Sequence, residues 1–318
     1  MPDEAPKPVP EHGLSRDAWM RRIAQIGKEH GLHDRIGKRH LGLFVEEGET
    51  LLVAFDRADR AWTEAYDGLP AGFELVRRRS WSLLSVMALG ETWFRDPALA
   101  RFFRTLQQSG ILGGYDNVIF YGVGPECGFA ACVYSATVPG ARVLAASPVA
   151  TLNHEDVPFE RRFRPARRLD FTGPLGHAPR ALEKAEHALV LYDPTETADA
   201  AQAALFDGEN TTRVGLPYAG RDFGRILHGE EACVPLLRML GRGRASPARV
   251  RHAMKEPCRE NPGTMIRRAR AALVQGHTRR AAILARHGFA ATGDRRLGAL
   301  LAETEEQPEE PHHQTETA

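Results

Sequence analysis

Residues 117–132, NVIFYGVGPECGFAAC, set an apolar strand at Val118–Tyr121 against a glycine-dense corner, with a helix of small side chains immediately behind it. A chain that passes from strand to helix within so few residues needs glycine for two reasons. Glycine reaches backbone angles closed to other residues, and it lets the helix lie directly on the strand. A corner of this kind implies the α/β class, in which helices cover both faces of a mostly parallel sheet.

The rest of the chain keeps the same rhythm. Ser15 or Asp17 can cap a helix with Trp19, Ile23 and Ile26 on one face. LGLFV and TLLVAF flank Glu46-Glu47-Gly48-Glu49, which predicts a β-hairpin. A strand is predicted around Ser82–Met87, and Asp96-Pro97 opens a helix through Leu106 that Gly110 closes. Beyond the corner, a helix at about 127–137 leads to a strand at Arg142–Ala146. Ala181–Glu186 reads as helix, Ala188–Tyr192 as strand, Thr197–Phe206 as helix and Thr212–Leu216 as a last strand. A helix from about Phe223 to Leu240 ends the alternation. After Gly241 only short helical segments follow, and ARAALVQGHTRRAAILARHGFAATGD resembles one tetratricopeptide-like hairpin. The expected organisation is a disordered tail at 1–14, an α/β domain at 15–240, a basic helical region at 241–304 and a disordered acidic tail at 305–318.

No apolar run approaches the roughly 20 residues of a membrane span, and the first residues are acidic and proline-rich rather than signal-like. The expected address is cytoplasmic, with Cys127, Cys132, Cys233 and Cys258 as free thiols, because their spacing fits neither a zinc site nor a C-x-x-C motif. His312 and His313 have no third ligand near them, so neither a metal nor a cofactor is expected. Net charge is +1, yet Arg242–Arg296 holds fourteen Lys and Arg against three acids. Such a face can meet nucleic acid, but Phe289 is the only aromatic residue within it, which argues against base stacking there.

Seven stretches carry a resemblance to known proteins: DRADRAW, GFELVRRRSWSLLSVMALGETWFRDP, VIFYG, GFAAC, PGARVLAASPVATL, RRLDFTGPLG and LYDPTETADAAQA. Together they resemble α/β-hydrolase-fold proteins of marine alphaproteobacteria over about residues 40–240. Some of those relatives are labelled phosphoadenosine phosphosulfate reductases, although this chain has no glycine-rich S-G-G-x-D-S loop.

The resemblance implies that the corner is where a nucleophile would stand, on a tight turn written G-x-S-x-G. Relatives carry a Y-G-x-S-M-G-G type corner. Counted from the strand, their serine falls on Gly124; counted back from the helix, on Pro125. A third frame, Gly124-Pro125-Glu126-Cys127-Gly128, reads G-x-E-x-G, and Gly122 precedes all three. No frame puts serine at the tip. Cys127 is the one candidate nucleophile, because a thiolate at a helix start is reactive; the alternative is a small buried residue. Asp193 and Asp199 follow the strand after which the fold places its acid. Relatives carry Leu-Gly-His after the last strand, and here Arg221 stands at that step, where it cannot accept a proton near neutral pH. His228, His154 and His177 are displaced candidates. Arg161, Arg162, Arg167 and Arg168 in the arginine-rich excursion form a candidate anion rim, or else pair with surface acids.

Three functions follow. The first is a non-catalytic hydrolase-like protein that binds an anionic small molecule or a protein partner. The second is a hydrolase or acyltransferase that uses Cys127, Asp193 or Asp199 and a displaced histidine such as His228. The third is a nucleic-acid-associated protein acting through its basic C-terminal helices.

Overall fold

The computed structural model describes residues 12–65, 67–227, 230–243 and 245–306. The two predicted tails therefore fall largely outside the described residues. Eight strands form one sheet: β1 (Gly31–Ile36), β2 (His40–Val45), β3 (Thr50–Arg57), β4 (Ser82–Ala88), β5 (Asn117–Val123), β6 (Arg142–Ala146), β7 (His187–Tyr192) and β8 (Thr211–Gly215). They lie in the order β1-β2-β4-β3-β5-β6-β7-β8. β1 and β2 are antiparallel to their neighbours, and every pairing from β4 through β8 is parallel. This is the α/β-hydrolase fold.

The strand sequences explain the layering. Leu51 to Phe55 of β3 are all buried, the run expected of a parallel strand covered on both faces. Leu52 and Ala54 join the core on one face of the sheet, with Ile119 and Tyr121; Leu51, Val53 and Phe55 join the other, with Val118 and Phe120. Helices α1 (Arg16–His30), α2 (Ala58–Thr63), α3 (Phe73–Arg79), α4 (Pro97–Ser109), α5 (Pro125–Ser135), α6 (Ala178–Leu182), α7 (Thr197–Ala204), α8 (Phe223–Ile226) and α9 (Glu230–Gly241) connect and cover the strands. As the sequence predicts, Ser15 and Asp96 cap α1 and α4, and Gly110 closes α4 at φ 74°.

The predicted hairpin is corrected. β2 and β3, either side of Glu46–Glu49, do not pair with each other, because β4 lies between them. The true hairpin joins β1 to β2. β1 is an edge strand whose residues, apart from Ile36, are not buried, so it carries no apolar alternation to betray it.

Beyond Gly241 come α10 (Pro247–Ala253), α11 (Lys255–Glu260), α12 (Pro262–Val274), α13 (Thr278–Thr292) and α14 (Arg295–Glu306). Val250, Met254 and Cys258 pack into the core of the main body, so its packing continues past Gly241. α12, α13 and α14 build a small cluster of their own from Ala269, Ala272, Ala281, Ala285 and Leu300. Among the described residues, no helix is long and apolar enough to cross a membrane.

Candidate active site

The corner is built where β5 ends. Gly124 has φ 94° and ψ 171°, and α5 begins at Pro125, whose fixed φ suits the first turn of a helix. A Cβ on Gly122 would lie 2.0 Å from the carbonyl oxygen of Cys127, so the strand and helix backbones touch at this point. A Cβ on Gly128 would lie 3.0 Å from Pro148. The Gly124 N–H donates to the Ala146 carbonyl at 2.8 Å, and Val149 N–H donates to the Pro125 carbonyl at 3.2 Å, fastening the turn to β6 and the loop after it. The tip of the turn is therefore Gly124, the residue reached by counting from the strand.

Glu126 is 8% exposed and sits 3.4 Å from Nη1 of Arg57. Burial pushes its carboxyl above the ordinary range, against the pull of Arg57. Cys127 is 1% exposed, and burial, reinforced by Glu126, pushes its thiol well above the ordinary value despite Arg60 nearby. The expectation of a thiolate at Cys127 is accordingly corrected. Desolvation outweighs the helix start, and the group stays a buried thiol.

The joint between β3 and α2 lies where the fold usually lends a backbone N–H to the oxyanion hole. Here it delivers two guanidinium groups. Arg57 forks onto Asp59, with Nε donating at 2.9 Å and Nη2 at 2.6 Å. Arg60 donates Nη1 to the Val123 carbonyl at 3.3 Å and pairs with Glu64 at 3.5 Å. A Cβ on Gly124 would lie 3.4 Å from Nη1 of Arg60, and one on Gly224 of α8 only 2.7 Å from Nη2. Arg60 thus fills the space between the tip of the turn and the segment after β8.

Asp193 and Asp199 belong to separate networks. Asp193, directly after β7, is fully buried. Its Oδ1 accepts from Thr195 N–H at 2.8 Å, Thr195 Oγ1 at 2.7 Å and Tyr218 N–H at 3.0 Å, and its Oδ2 accepts from Gly220 N–H at 2.7 Å. The carboxylate that could orient an imidazole clasps the backbone of the β8–α8 loop instead. Tyr218 in that loop has φ 66°. Asp199, in the first turn of α7, accepts from Ser147 Oγ at 2.7 Å and from Arg162 Nη1 at 2.5 Å.

The candidate rim divides. Arg162 forks onto the fully buried Glu160 at 3.0 and 2.7 Å, its own backbone N–H donates at 3.0 Å, and Gln202 adds a fourth donor at 3.1 Å. Arg167 donates to the Val157 carbonyl at 2.7 Å. These two arginines hold the excursion together, so their assignment to a free rim is corrected. Arg161 and Arg168 are exposed. Arg221 is exposed in the turn after β8, and His154 is exposed as well. His177 caps α6 weakly, its Nδ1 accepting from Arg180 N–H at 3.4 Å. His228 lies outside the described residues. Among the described residues, no imidazole is hydrogen-bonded to Asp193 or Asp199, and no cluster of three His, Cys, Asp or Glu could hold a metal ion.

Sequence reasoning missed Arg57, Arg60, Glu160 and Ser147. Ser147 directly follows β6 beside the corner and has φ 50°, a positive value rare for a residue other than glycine. Only the dipeptide Ser147-Pro148 marks it in the sequence.

No family model and no curated protein sequence matches the chain. Among solved structures it is similar to a capsule O-acetyltransferase of Neisseria meningitidis serogroup A, at 10% identity over 61% of this chain and 90% of that one, with a TM-score of 0.41. It is also similar to a hormone-sensitive lipase from a metagenome library, at 15% identity, 64% and 83% coverage and a TM-score of 0.38. A third likeness is to carboxyl esterase 2 of the mycorrhizal fungus Tuber melanosporum, at 14% identity, 57% and 75% coverage and a TM-score of 0.37.

Proposed function

We propose that this chain is a hydrolase-fold protein without hydrolytic chemistry at its corner, and that it acts by binding a small anionic ligand or a protein partner. The observation that carries the reading is the pairing of Gly124 with Arg60. The tip has no side chain, and Nη1 of Arg60 lies 3.4 Å from where a Cβ there would be. Glycine cannot attack a carbonyl, and arginine cannot take a proton near neutral pH. The four donors on Asp193 support the same reading, because they commit this carboxylate to holding Thr195 and the β8–α8 loop.

One observation favours a competing reading, acyl transfer or ester hydrolysis: the strained Ser147, half-buried beside the corner and hydrogen-bonded to Asp199. Against it, Asp199 is already engaged by Arg162, and a carboxylate is a weak base for a serine hydroxyl. A broad fluorophosphonate probe, followed by peptide mapping, separates the two. The expected result is no stoichiometric labelling of any serine and no p-nitrophenyl acetate turnover above that of a Ser147→Ala, Cys127→Ala control. Labelling at Ser147, or turnover lost with either substitution, would overturn the reading.

A further inference from the structure

The β8–α8 loop and the α12–α13 hairpin enclose a cleft of about 320 Å³. Its polar lining is Tyr218, Arg268, Gln275 and Arg280, and Ala272 and Leu284 give it an apolar side. Among the described residues, no carboxylate lines it. Other arginines of the same region are neutralised: Arg267 pairs with Asp222 at 2.8 Å, Arg286 with Glu305 at 3.0 Å and Arg296 with Asp294 at 2.6 Å. Arg268 and Arg280 have no ion pair among the described residues. Two like charges from different helices facing one cavity repel each other unless an anion lies between them. The eleven-charge surplus of residues 242–296 raises the positive potential around this cleft further.

The wall of the cleft is also held in place. Tyr218 is fixed from both sides, its N–H donating to Asp193 and its carbonyl accepting from Nε of Arg267 at 2.8 Å. That double grip maintains the left-handed backbone at Tyr218, a strained conformation that persists only where surrounding contacts over-determine it.

We propose that this cleft binds a small organic phosphate monoester. Two guanidinium forks match the three terminal oxygens and double charge of a phosphate, and Gln275 and Tyr218 can add neutral hydrogen bonds. Ala272 and Leu284 would cover an apolar organic group, and the volume suits a ligand of that size. This inference goes beyond the reading of the corner and can fail without it, since the labelling result above does not depend on Arg268 or Arg280.

The test is isothermal titration of the full-length protein with phenyl phosphate at pH 7.5 in a phosphate-free, low-salt buffer, where the monoester is a dianion. Saturable one-to-one binding is expected, about tenfold or more tighter than benzoate, which carries one charge on the same ring. Arg268→Gln and Arg280→Gln should each weaken it about tenfold or more. Arg279→Gln, an exposed neighbour on α13 outside the lining, should leave it within about twofold. Unchanged melting temperatures for the three variants establish that the fold is intact. The proposal is overturned if binding does not saturate by about 10 mM, if benzoate binds equally well, or if Arg279→Gln weakens binding as much as Arg280→Gln does. The last result would mean that diffuse surface charge, rather than the cleft, attracts the anion.

Discussion

Replacing Asp193 distinguishes a structural clasp from a catalytic acid. In Asp193→Ala the four hydrogen bonds to the carboxylate disappear. The two donors on Thr195 are local, and Tyr218 as a whole is only half-buried, so much of their loss is recovered. Gly220 is buried, and its N–H, now 2.7 Å from nothing, bears the full desolvation cost. One charge-assisted bond contributes about 1.5–3 kcal/mol net and one orphaned buried donor costs about 1–3 kcal/mol, so the substitution should destabilise the protein by about 3–5 kcal/mol. Asp193→Asn keeps an acceptor for the three Oδ1 donors but sets an amide N–H₂ against Gly220 N–H. It should cost roughly half as much.

The assay is differential scanning calorimetry at pH 7. A loss of this size lowers the melting temperature by about 10 °C for Asp193→Ala, and by about 5 °C for Asp193→Asn. The loop that Asp193 clasps also carries the two carbonyls, of Tyr218 and Ala219, that Arg267 grips from α12. Limited proteolysis should therefore release the C-terminal helices sooner in Asp193→Ala than in the parent. Were Asp193 also an acid steering a catalytic imidazole, the substitution would abolish a turnover that the parent shows, in addition to lowering stability. A melting temperature within about 2 °C of the parent refutes the clasp.

Three further outcomes follow from the same geometry. Gly122→Ala forces a methyl to within 2.0 Å of the Cys127 carbonyl, so α5 must move; a loss of about 3 kcal/mol or more, or insoluble protein, is expected in urea melts, and a stable variant would refute the contact. Gly124→Ser should supply a hydroxyl without supplying activity, because Arg60 stands beside the tip and, among the described residues, no imidazole is bonded to Asp193 or Asp199; its φ of 94° should also cost about 1–3 kcal/mol, and new esterase turnover would refute the role given to Arg60. His40, fully buried and bonded through Nε2 to Thr92 Oγ1 at 2.8 Å, is held neutral by burial down to about pH 4 against a partial pull from Asp96. The unfolded chain takes up that proton near pH 6.5, so lowering the pH from 6.5 to 4 favours unfolding by up to about 3 kcal/mol; a His40→Gln variant should lose this slope in pH-dependent urea melts.

Local sequence made the parallel half of the sheet legible. β3, β5, β6 and β7 are short apolar runs bounded by turn residues, and each run sits buried where the pattern puts it. The antiparallel end was misread for a physical reason. Glu46–Glu49 has the composition of a hairpin turn, but the partners of β2 and β3 are chosen by burial: five consecutive buried residues suit β3 to the sheet centre, and β4 inserts beside it. At the site, the sequence left three frames open, and the backbone turn with positive φ falls at Gly124. What the sequence could not reveal was who comes to meet it. Arg60 bonds the carbonyl of Val123 from 63 residues away, Asp193 bonds backbone N–H groups that every residue but proline possesses, and neither leaves a spacing to read.

The corner also separates two things that a motif treats as one. Gly122 and Gly128 are required because backbone and side-chain atoms of neighbouring elements stand within 2.0 and 3.0 Å of where their Cβ atoms would be, a packing need indifferent to what the tip carries. Gly124 is required by its own φ of 94°, again whatever chemistry occurs above it. A glycine-framed turn between strand and helix therefore specifies the architecture, and three of the residues that make it recognisable would be needed in an inert protein too. Activity depends instead on the contents of the space over the turn. In this chain a guanidinium stands beside the tip, bonded to the strand carbonyl of Val123 and paired with Glu64, so on the proposed reading a ligand entering the corner meets Arg60 rather than a nucleophile.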